Sequence, residues 1–271
     1  MSNPAKGKAT ICIVNYKTLE FTRLALRCIR RFTNYPYEVV VVDNDSRDES
    51  LEYLKSLKWI RLLERGTDQD VSGSRSHSAA LQLCYENCDS EFFVSMHSDA
   101  FVHRENWLGE LVGYFGGDGR TACVGSGKLE LTPTWRVLLK KATDLRTFKR
   151  RLLRTPDPFG KFRYYNRTIC CVYRTEVLRN EGLSFLTNQK KGLTSGKQLY
   201  FDIVDKGYKT VELPASVMSR YVIHLAHATQ VVNPLEFALR KRTVKKCNRY
   251  ARKIMSSPTM QSIITDDSLD N

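Results

Sequence analysis

The chain has 271 residues, 42% of them hydrophobic, a length that suits one α/β domain with appendages and falls short of two full cores. No stretch reaches the roughly 20 continuous apolar residues of a membrane span, Met1 to Lys8 holds no signal-like apolar run, and none of the eight cysteines forms a Cys-x-x-Cys pair, so a cytosolic chain with reduced, core-packed thiols is expected. Forty-three Lys and Arg against 29 Asp and Glu give a net charge of +14, which points to an anionic partner, and the excess sits in two blocks: eleven basic residues against two acids from Arg136 to Arg167, and eight against none from Arg240 to Lys253.

Ala9 to Asn15 is a short, largely apolar run that predicts a strand, and Thr18 is placed to cap a helix with Leu24, Cys28 and Phe32 on one stripe. Tyr37 to Val42 predicts a second strand ending in Asp43, and Ser46-Arg47-Asp48-Glu49 reads as a capping box opening the next helix. Trp59 to Leu63 supplies a third strand, Gly73 to Cys88 a helix with Ala80, Leu83 and Cys84 on one side, and Glu91 to Met96 a fourth strand that stops at His97-Ser98-Asp99. This alternation predicts a mostly parallel sheet with helices on both faces. Trp107 follows at helical spacing and reads as a packing residue. Beyond Val124 the pattern loosens into the basic stretch, a strand from Thr168 to Tyr173, a helix from about Gln198 to Lys206, a turn at Gly207, a strand from Lys209 to Leu213, and a segment holding His224 and His227. From Leu235 to Met255, Phe237, Val244, Cys247, Ala251 and Ile254 form one apolar helical stripe flanked by Lys241, Lys245, Arg249 and Arg252. That helix fits the headgroup region of an anionic bilayer or, alternatively, a seat on the domain. The polar, acidic residues after Ser256 predict a disordered tail.

A parallel sheet binds ligands at the carboxyl ends of its strands, where Asn15, Asp43 and the His97 to Asp99 tripeptide all fall. No Gly-x-Gly-x-x-Gly follows the first strand and no Walker lysine loop occurs, so neither a dinucleotide fold nor a phosphate-loop NTPase is supported. The Asp43 carboxylate suits the imide or amino edge of a nucleobase, or a cap on the following turn. Asp99 suits a divalent cation bridging two phosphates, or a plain turn. An imidazole at His97 is a poorer ligand for magnesium than a carboxylate but acceptable to manganese, and as a neutral group it could instead hydrogen-bond a ribose or phosphate oxygen. Gly73, Arg75 and His77 open a helix whose N-terminus can face phosphate or sugar, or form an ordinary surface turn.

These residues resemble the family 2 glycosyltransferases of the GT-A fold, of the bacterial cell-surface polysaccharide type. The likeness rests on Thr10-Ile-Cys-Ile-Val-Asn-Tyr16, Val39-Val-Val-Val-Asp-Asn-Asp-Ser46, the Gly73-x-Arg75 helix start, and His97-Ser-Asp99 where the family usually has Asp-x-Asp; the Lys206-Gly-Tyr-Lys209 turn and a late histidine match more weakly. The resemblance implies a single Rossmann-like GT-A domain over residues 1–233, with a donor half at about 9–130 and an acceptor half at about 131–233 that holds a basic insert, 136–167. A basic helical extension, 234–255, and the tail, 256–271, follow. It also implies inverting transfer of a hexose or deoxyhexose from a nucleoside-diphosphate sugar to a polysaccharide or lipid-linked acceptor, with a divalent metal, Mn or Mg. Donor binding falls to Asn15, Asp43, Asp45, Arg75, His97 and Asp99, and the metal to Asp99 and His97 with His224 or His227, each of which could equally be a packed core histidine.

The family commonly takes its catalytic base from a Glu-Asp pair about a dozen residues before a Gly-Tyr turn. Counting back from Gly207-Tyr208 reaches Ser195 and Gly196, so the pair is missing. Asp202 becomes the candidate base, with Asp205 and Asp157 behind it and a solvent-facing helix charge as its other reading, while Lys197 could meet phosphate. The expected setting is peripheral, on an anionic surface at the inner face of the cell membrane. Two alternatives are a nucleotidyltransferase and a nucleic-acid-binding protein, the latter suggested by Phe159-Gly-Lys-Phe-Arg-Tyr-Tyr165. The separation of the basic blocks from the strand-end carboxylates argues against nucleic acid.

Overall fold

Alternation along the first two strands sets the architecture. Ile11, Ile13, Val39 and Val41 enter one hydrophobic cluster while Cys12, Val14, Val40 and Val42 enter another, so these strands are buried on both faces. In the computed structural model, which describes residues 5–66, 73–117, 119–127, 129, 165–187, 193–237 and 239–271, the strands are β1 (Ala5–Asn15), β2 (Tyr37–Asp43), β3 (Ile60–Glu64), β4 (Ser90–His97), β5 (Ala100–Val102), β6 (Thr121–Ser126), β7 (Cys170–Arg174), β8 (Lys209–Leu213) and β9 (Val222–His224). Seven of them form one sheet in the order β3-β2-β1-β4-β7-β6-β8, and β5 pairs antiparallel with β9 in a separate ribbon. β3, β2, β1 and β4 run parallel, β7 is antiparallel to both β4 and β6, and β8 is parallel to β6. The chain builds outward from β1 to β3 and then returns to place β4 on the other side of β1. A crevice opens at the carboxyl ends of β1 and β4, where the winding reverses.

The helices are α1 (Leu19–Phe32), α2 (Glu49–Ser56), α3 (Gly73–Glu86), α4 (Trp107–Gly113), α5 (Thr175–Asn180), α6 (Ser195–Asp205), α7 (Ala215–Met218), α8 (Ala228–Val232), α9 (Lys241–Met255) and α10 (Pro258–Ile264), with a closing 3₁₀ turn at Asp267–Asp270. α1 covers one face through Leu24, Ala25, Cys28 and Ile29, while α3, α5 and α6 cover the other through Ala80, Leu81, Cys84, Val177, Leu178, Leu199 and Ile203. Trp107 is fully buried, its indole N–H donating to Thr33 Oγ1 at 2.9 Å. All eight cysteines are buried and unbridged, and burial pushes the Cys28 and Cys170 thiols up to about 12. Among the described residues no helix is long and apolar enough to cross a membrane.

Three local expectations change, and one of the two readings of the basic C-terminal helix is selected. Thr18 precedes α1 but donates to Asn15 Oδ1 rather than capping the helix, and α2 is capped by Asp48, whose carboxylate accepts from Ser50 N, because Ser46 is bonded to Asp43. The tail after Ser256 is folded: Ser257 caps α10, Met260 and Ile263 join the core, and the buried Arg27 guanidinium of α1 binds Asp270, Asp267 and the carbonyls of Ile263 and Ile264. Composition hid this, since an acidic tail reads as solvated unless the buried arginine that pairs with it is known. The apolar stripe of α9 is seated on the domain, with Cys247 and Ile254 buried, Cys247 Sγ bonded to Ala226 O at 3.4 Å, and the basic residues turned to solvent. The basic stretch falls outside the described residues up to 164, and the candidate Asp157 with it.

Candidate active site

The site is assembled from two distant parts of the chain. β4 runs out at His97, level with Val14 of β1, and Asp99 begins the ribbon whose Ala100 pairs with His224 of β9. That register sets His224 beside Asp99, with Nε2 3.2 Å from Asp99 Oδ1, while His97 Nδ1 lies 3.7 Å from the same oxygen. The other carboxylate oxygen accepts from Ala228 N at 3.2 Å, and Leu225 N donates to the Asp99 carbonyl at 3.1 Å. Ala226 and His227, between those two donors, both adopt left-handed backbone (φ 59° and 64°). Such strain in non-glycine residues is retained where the surroundings enforce it, and here the turn directs an amide onto the buried acid.

Burial and neighbouring groups set the protonation of Asp99, His97 and His77. Burial disfavours the carboxylate of Asp99, but the adjoining His224, through its hydrogen bond and its proximity, and the Ala228 N–H outweigh it and hold the acid well below its usual range. Burial also drives His97 down to about 3 and His77 to about 4, so both imidazoles are neutral at physiological pH. His77 packs edge-on against His97 at 5.2 Å, His224 packs edge-on against its other side at 5.5 Å, and Thr168 Oγ1 lies 3.4 Å from His97 Nε2.

The donor atoms of His97, Asp99 and His224 lie within 4.8 Å of one another. Ligands on one ion at about 2.1 Å are separated by roughly 3 to 4 Å, so this set can close on a single cation with modest movement. Two imidazoles with one carboxylate favour manganese, iron or zinc over magnesium. His224 Nδ1 and His77 Nε2 are buried with no hydrogen-bond partner among the described residues, which leaves polar capacity at this site for a bound group.

A cavity of about 350 Å³ opens over the cluster, walled by Ser74 and His77 of α3, His97, Arg167 to Ile169, Thr194 to Gly196 at the start of α6, and His224, Ala226 and His227. The missing acid pair thus corresponds in space to Ser195 and Gly196 on the cavity wall. A Cβ added at Gly196 would stand 3.2 Å from Asn166 O and 3.3 Å from Thr168, so a larger residue fits here only if these neighbours shift by a few tenths of an ångström. Asp202 lies seven residues along α6, about 10 Å down its axis, accepts from Gln198 Nε2 at 2.8 Å, and does not line the cavity. Asp205 is a further turn away at the helix end, and Lys197 follows Gly196. His227 reaches the cavity wall while its Nδ1 lies 2.7 Å from Gln230 Oε1, and it is not part of the three-residue cluster.

At the ends of β1 and β2 the polar residues form a second, closed network. Asn15 Nδ2 donates to Asp43 Oδ1 at 2.8 Å and to Ser50 Oγ at 2.8 Å, and Asp43 accepts from Ser46 N and Ser46 Oγ. Asp43 is therefore buried and bound at the turn, whereas Asp45, partly exposed and in left-handed backbone at φ 68°, pairs with the exposed Arg47 at 2.6 Å. Asn44 Nδ2 donates to Ser76 Oγ of α3, and Arg65 Nη1 donates to Asn44 Oδ1, which ties this network to the helix start where Arg75 is exposed. Arg167, Thr168 and Ser76 were not singled out in the sequence. Arg167 carried a weak signal, as the last basic residue of the insert; Thr168 and Ser76 carried none.

Residues 10–174 match the family described as Glycosyl transferase family 2. Among solved structures the chain is similar to "Mannosyltransferase PcManGT from Pyrobaculum calidifontis in complex with GDP-Man and Mn2+", with TM-score 0.53 and 16% identity over 96% of this chain and 79% of that one. It is also similar to S. aureus TarS, with TM-score 0.50 and 13% identity over 92% of this chain and 44% of that one, and to the TarS 1–349 fragment, with TM-score 0.50 and 12% identity over 94% and 77%. At these identities the likeness establishes the GT-A fold. No curated protein sequence matches the chain.

Proposed function

The chain belongs to glycosyl transferase family 2 and so transfers a sugar from a nucleotide-sugar donor, and we propose that it does so in a divalent-metal-dependent, inverting reaction on a polysaccharide or lipid-linked acceptor. The observation that carries this reading is the Asp99 carboxylate held between His97 and His224, both of which line the cavity. The metal in the complex of the Pyrobaculum mannosyltransferase, described with GDP-Man and Mn2+, supports it. A cation held by Asp99, His97 and His224 would neutralise charge developing on the diphosphate leaving group. Arg167, on the cavity wall, adds a fixed positive charge for the same oxygens. Burial of His97 and His77 keeps both rings neutral, so they present lone pairs rather than competing cations.

Asp43, Asn15, Asp45 and Arg75 are proposed for the nucleotide, since the network from Asn15 through Asn44 to Ser76 joins the ends of β1 and β2 to the start of α3. Asp202, seven residues along α6 from the cavity-lining Ser195, is the proposed base. Asp202→Asn should lower kcat by two orders of magnitude or more with donor binding retained, and a near-normal rate removes Asp202 from the reaction. A lipid-linked acceptor would make the protein peripheral at the inner face of the cell membrane, a setting that the exposed basic residues of α9 favour.

The test is thermal stabilisation by a panel of nucleoside diphosphates, each with manganese, with magnesium and with chelator. One diphosphate should raise the midpoint only with metal, by the equivalent of about 2.7 kcal/mol at a hundredfold excess over Kd. Product anomer configuration by NMR then decides inversion. No stabilisation by any diphosphate at millimolar concentration with manganese would refute the reading.

A further inference from the structure

Among the described residues only four large hydrophobic side chains are exposed, Tyr114, Leu186, Val232 and Leu235, and two of these, Val232 and Leu235, lie three residues apart, a short way along the chain from the cavity-lining His227. Val232 ends α8, the helix that starts directly after the cavity-lining Ala226 and His227. Leu235 is fully exposed. The turn carrying it is fixed at both ends: Asn233 Nδ2 donates to Lys17 O at 3.2 Å and to Thr229 O at 2.9 Å, and Glu236 accepts from Tyr16 Oη and pairs with Lys17 Nζ, each at 2.5 Å. Pro234 and Leu235 therefore project between two anchors. α9 begins six residues later, packs against α8, and bonds through Cys247 to Ala226 O at the cavity edge.

Because the apolar stripe of α9 is seated on the domain, its outward face is strongly cationic, with Arg240, Lys241, Arg242, Lys245, Lys246, Arg249, Arg252 and Lys253 all exposed and no acid among them. We propose that Val232 and Leu235 form a rim that enters the acyl boundary of an anionic bilayer while α9 lies on the headgroups, which brings the cavity mouth against the membrane. The two parts are complementary in the way interfacial binding requires: a small rigid apolar projection for the hydrocarbon edge and a dense positive field for the anionic surface. The inference rests on the reading of the chain as a transferase acting on a lipid-linked acceptor, and it replaces the buried stripe of α9 with Leu235 as the inserted element.

Cosedimentation of the full chain with vesicles of phosphatidylglycerol and phosphatidylcholine, against phosphatidylcholine alone, tests it across a salt series. The expected result is binding only to the anionic vesicles, weakened by salt, and reduced roughly tenfold or more by Leu235→Asp. Lys245→Glu with Arg249→Glu should abolish binding, and Leu235→Trp should be quenched by brominated lipid beyond the background of the native tryptophans. Equal vesicle binding by Leu235→Asp and the unmodified chain would overturn the proposal, as would binding to single-stranded RNA with none to vesicles. Nucleoside-diphosphate binding on the same samples reports separately on the catalytic reading. Its absence from every sample refutes that reading, while vesicle binding indifferent to Leu235 removes only the membrane rim.

Discussion

Arg27→Ala should unfasten the C-terminal segment from the domain, and the size of the effect follows from which partners the guanidinium holds. Arg27 is 2% exposed; its Nε donates to Asp270 Oδ1 at 2.9 Å and its Nη2 to Asp270 Oδ2 at 2.5 Å, a bidentate fork, while Nη1 reaches the carbonyls of Ile263 and Ile264. The second acid, Asp267, has a side chain 91% exposed, so its pair contributes at most about 1 kcal/mol. Asp270 is mostly covered and also accepts from Tyr53 Oη at 2.8 Å, so losing the arginine leaves a half-sheltered carboxylate. Breaking a buried pair costs about 3 to 5 kcal/mol, and since Asp270 can partly rehydrate the expected loss is about 3 kcal/mol, or roughly 6 to 12 °C in Tm. The pH dependence has a fixed sign. The Asp270 pKa is lowered by its bonds to Arg27 and Tyr53 against the opposing effect of burial. Its contribution is therefore complete above the unfolded value near 3.9 and lost as pH falls through the lower folded value. The gap between wild type and Arg27→Ala, measured by calorimetry, should stay constant from pH 8 to 5 and narrow below pH 4. Removing residues 258–271 should lower Tm by at least as much and render Arg27→Ala nearly silent. A drop under 2 °C at pH 7, or additive losses from truncation and substitution, would refute the clasp.

Asp99→Asn should abolish metal-dependent donor turnover and manganese-induced stabilisation while shifting Tm by only a few degrees, because an amide oxygen can still accept from Ala228 N; turnover and thermal shift read both. Asp43→Ala should raise the donor KM, and because three hydrogen bonds from Asn15 and Ser46 disappear it should also destabilise the fold by about 2 kcal/mol; unchanged stability would contradict the closed network. Below pH 6.5 the unfolded chain takes up protons that folded His77 and His97 refuse until about 4 and 3, so stability should fall with pH, by up to about 1.4 kcal/mol per unit for His77 and less for His97, whose side chain is 32% exposed. His77→Gln should flatten that slope between pH 6.5 and 4.5 in calorimetric scans.

What the sequence disclosed follows from the range of the interactions involved. Strands buried on both faces, such as Val39 to Val42, announce themselves by composition, and the strand ends marked Asn15, Asp43 and Asp99 in advance. Short elements held by partners far along the chain did not. β5 and β9 are three residues each and exist because they pair with one another, and β6 is defined by β7 and β8. The folded tail was unreadable for the same reason, since its acids look solvated until Arg27, more than 230 residues away, is seen to be buried beneath them.

His224 combines both cases. Its residue type and late position made it a candidate, yet nothing local separated it from His227, three residues on. The pairing of Ala100 with His224 decides between them: strand geometry aligns His224 with the residue after Asp99, and the left-handed turn at Ala226 and His227 then carries the chain past the carboxylate so that Ala228 N meets its second oxygen. One buried acid is thereby gripped by groups more than 120 residues distant, so the cluster cannot form until β9 has docked on β5. Formation of the site is tied to docking of the C-terminal part of the domain, because α8 starts at Ala228 within that turn and α9 bonds to it through Cys247 Sγ and Ala226 O. A substitution that loosens the ribbon, far from any reacting atom, should therefore cost metal affinity before it costs global stability.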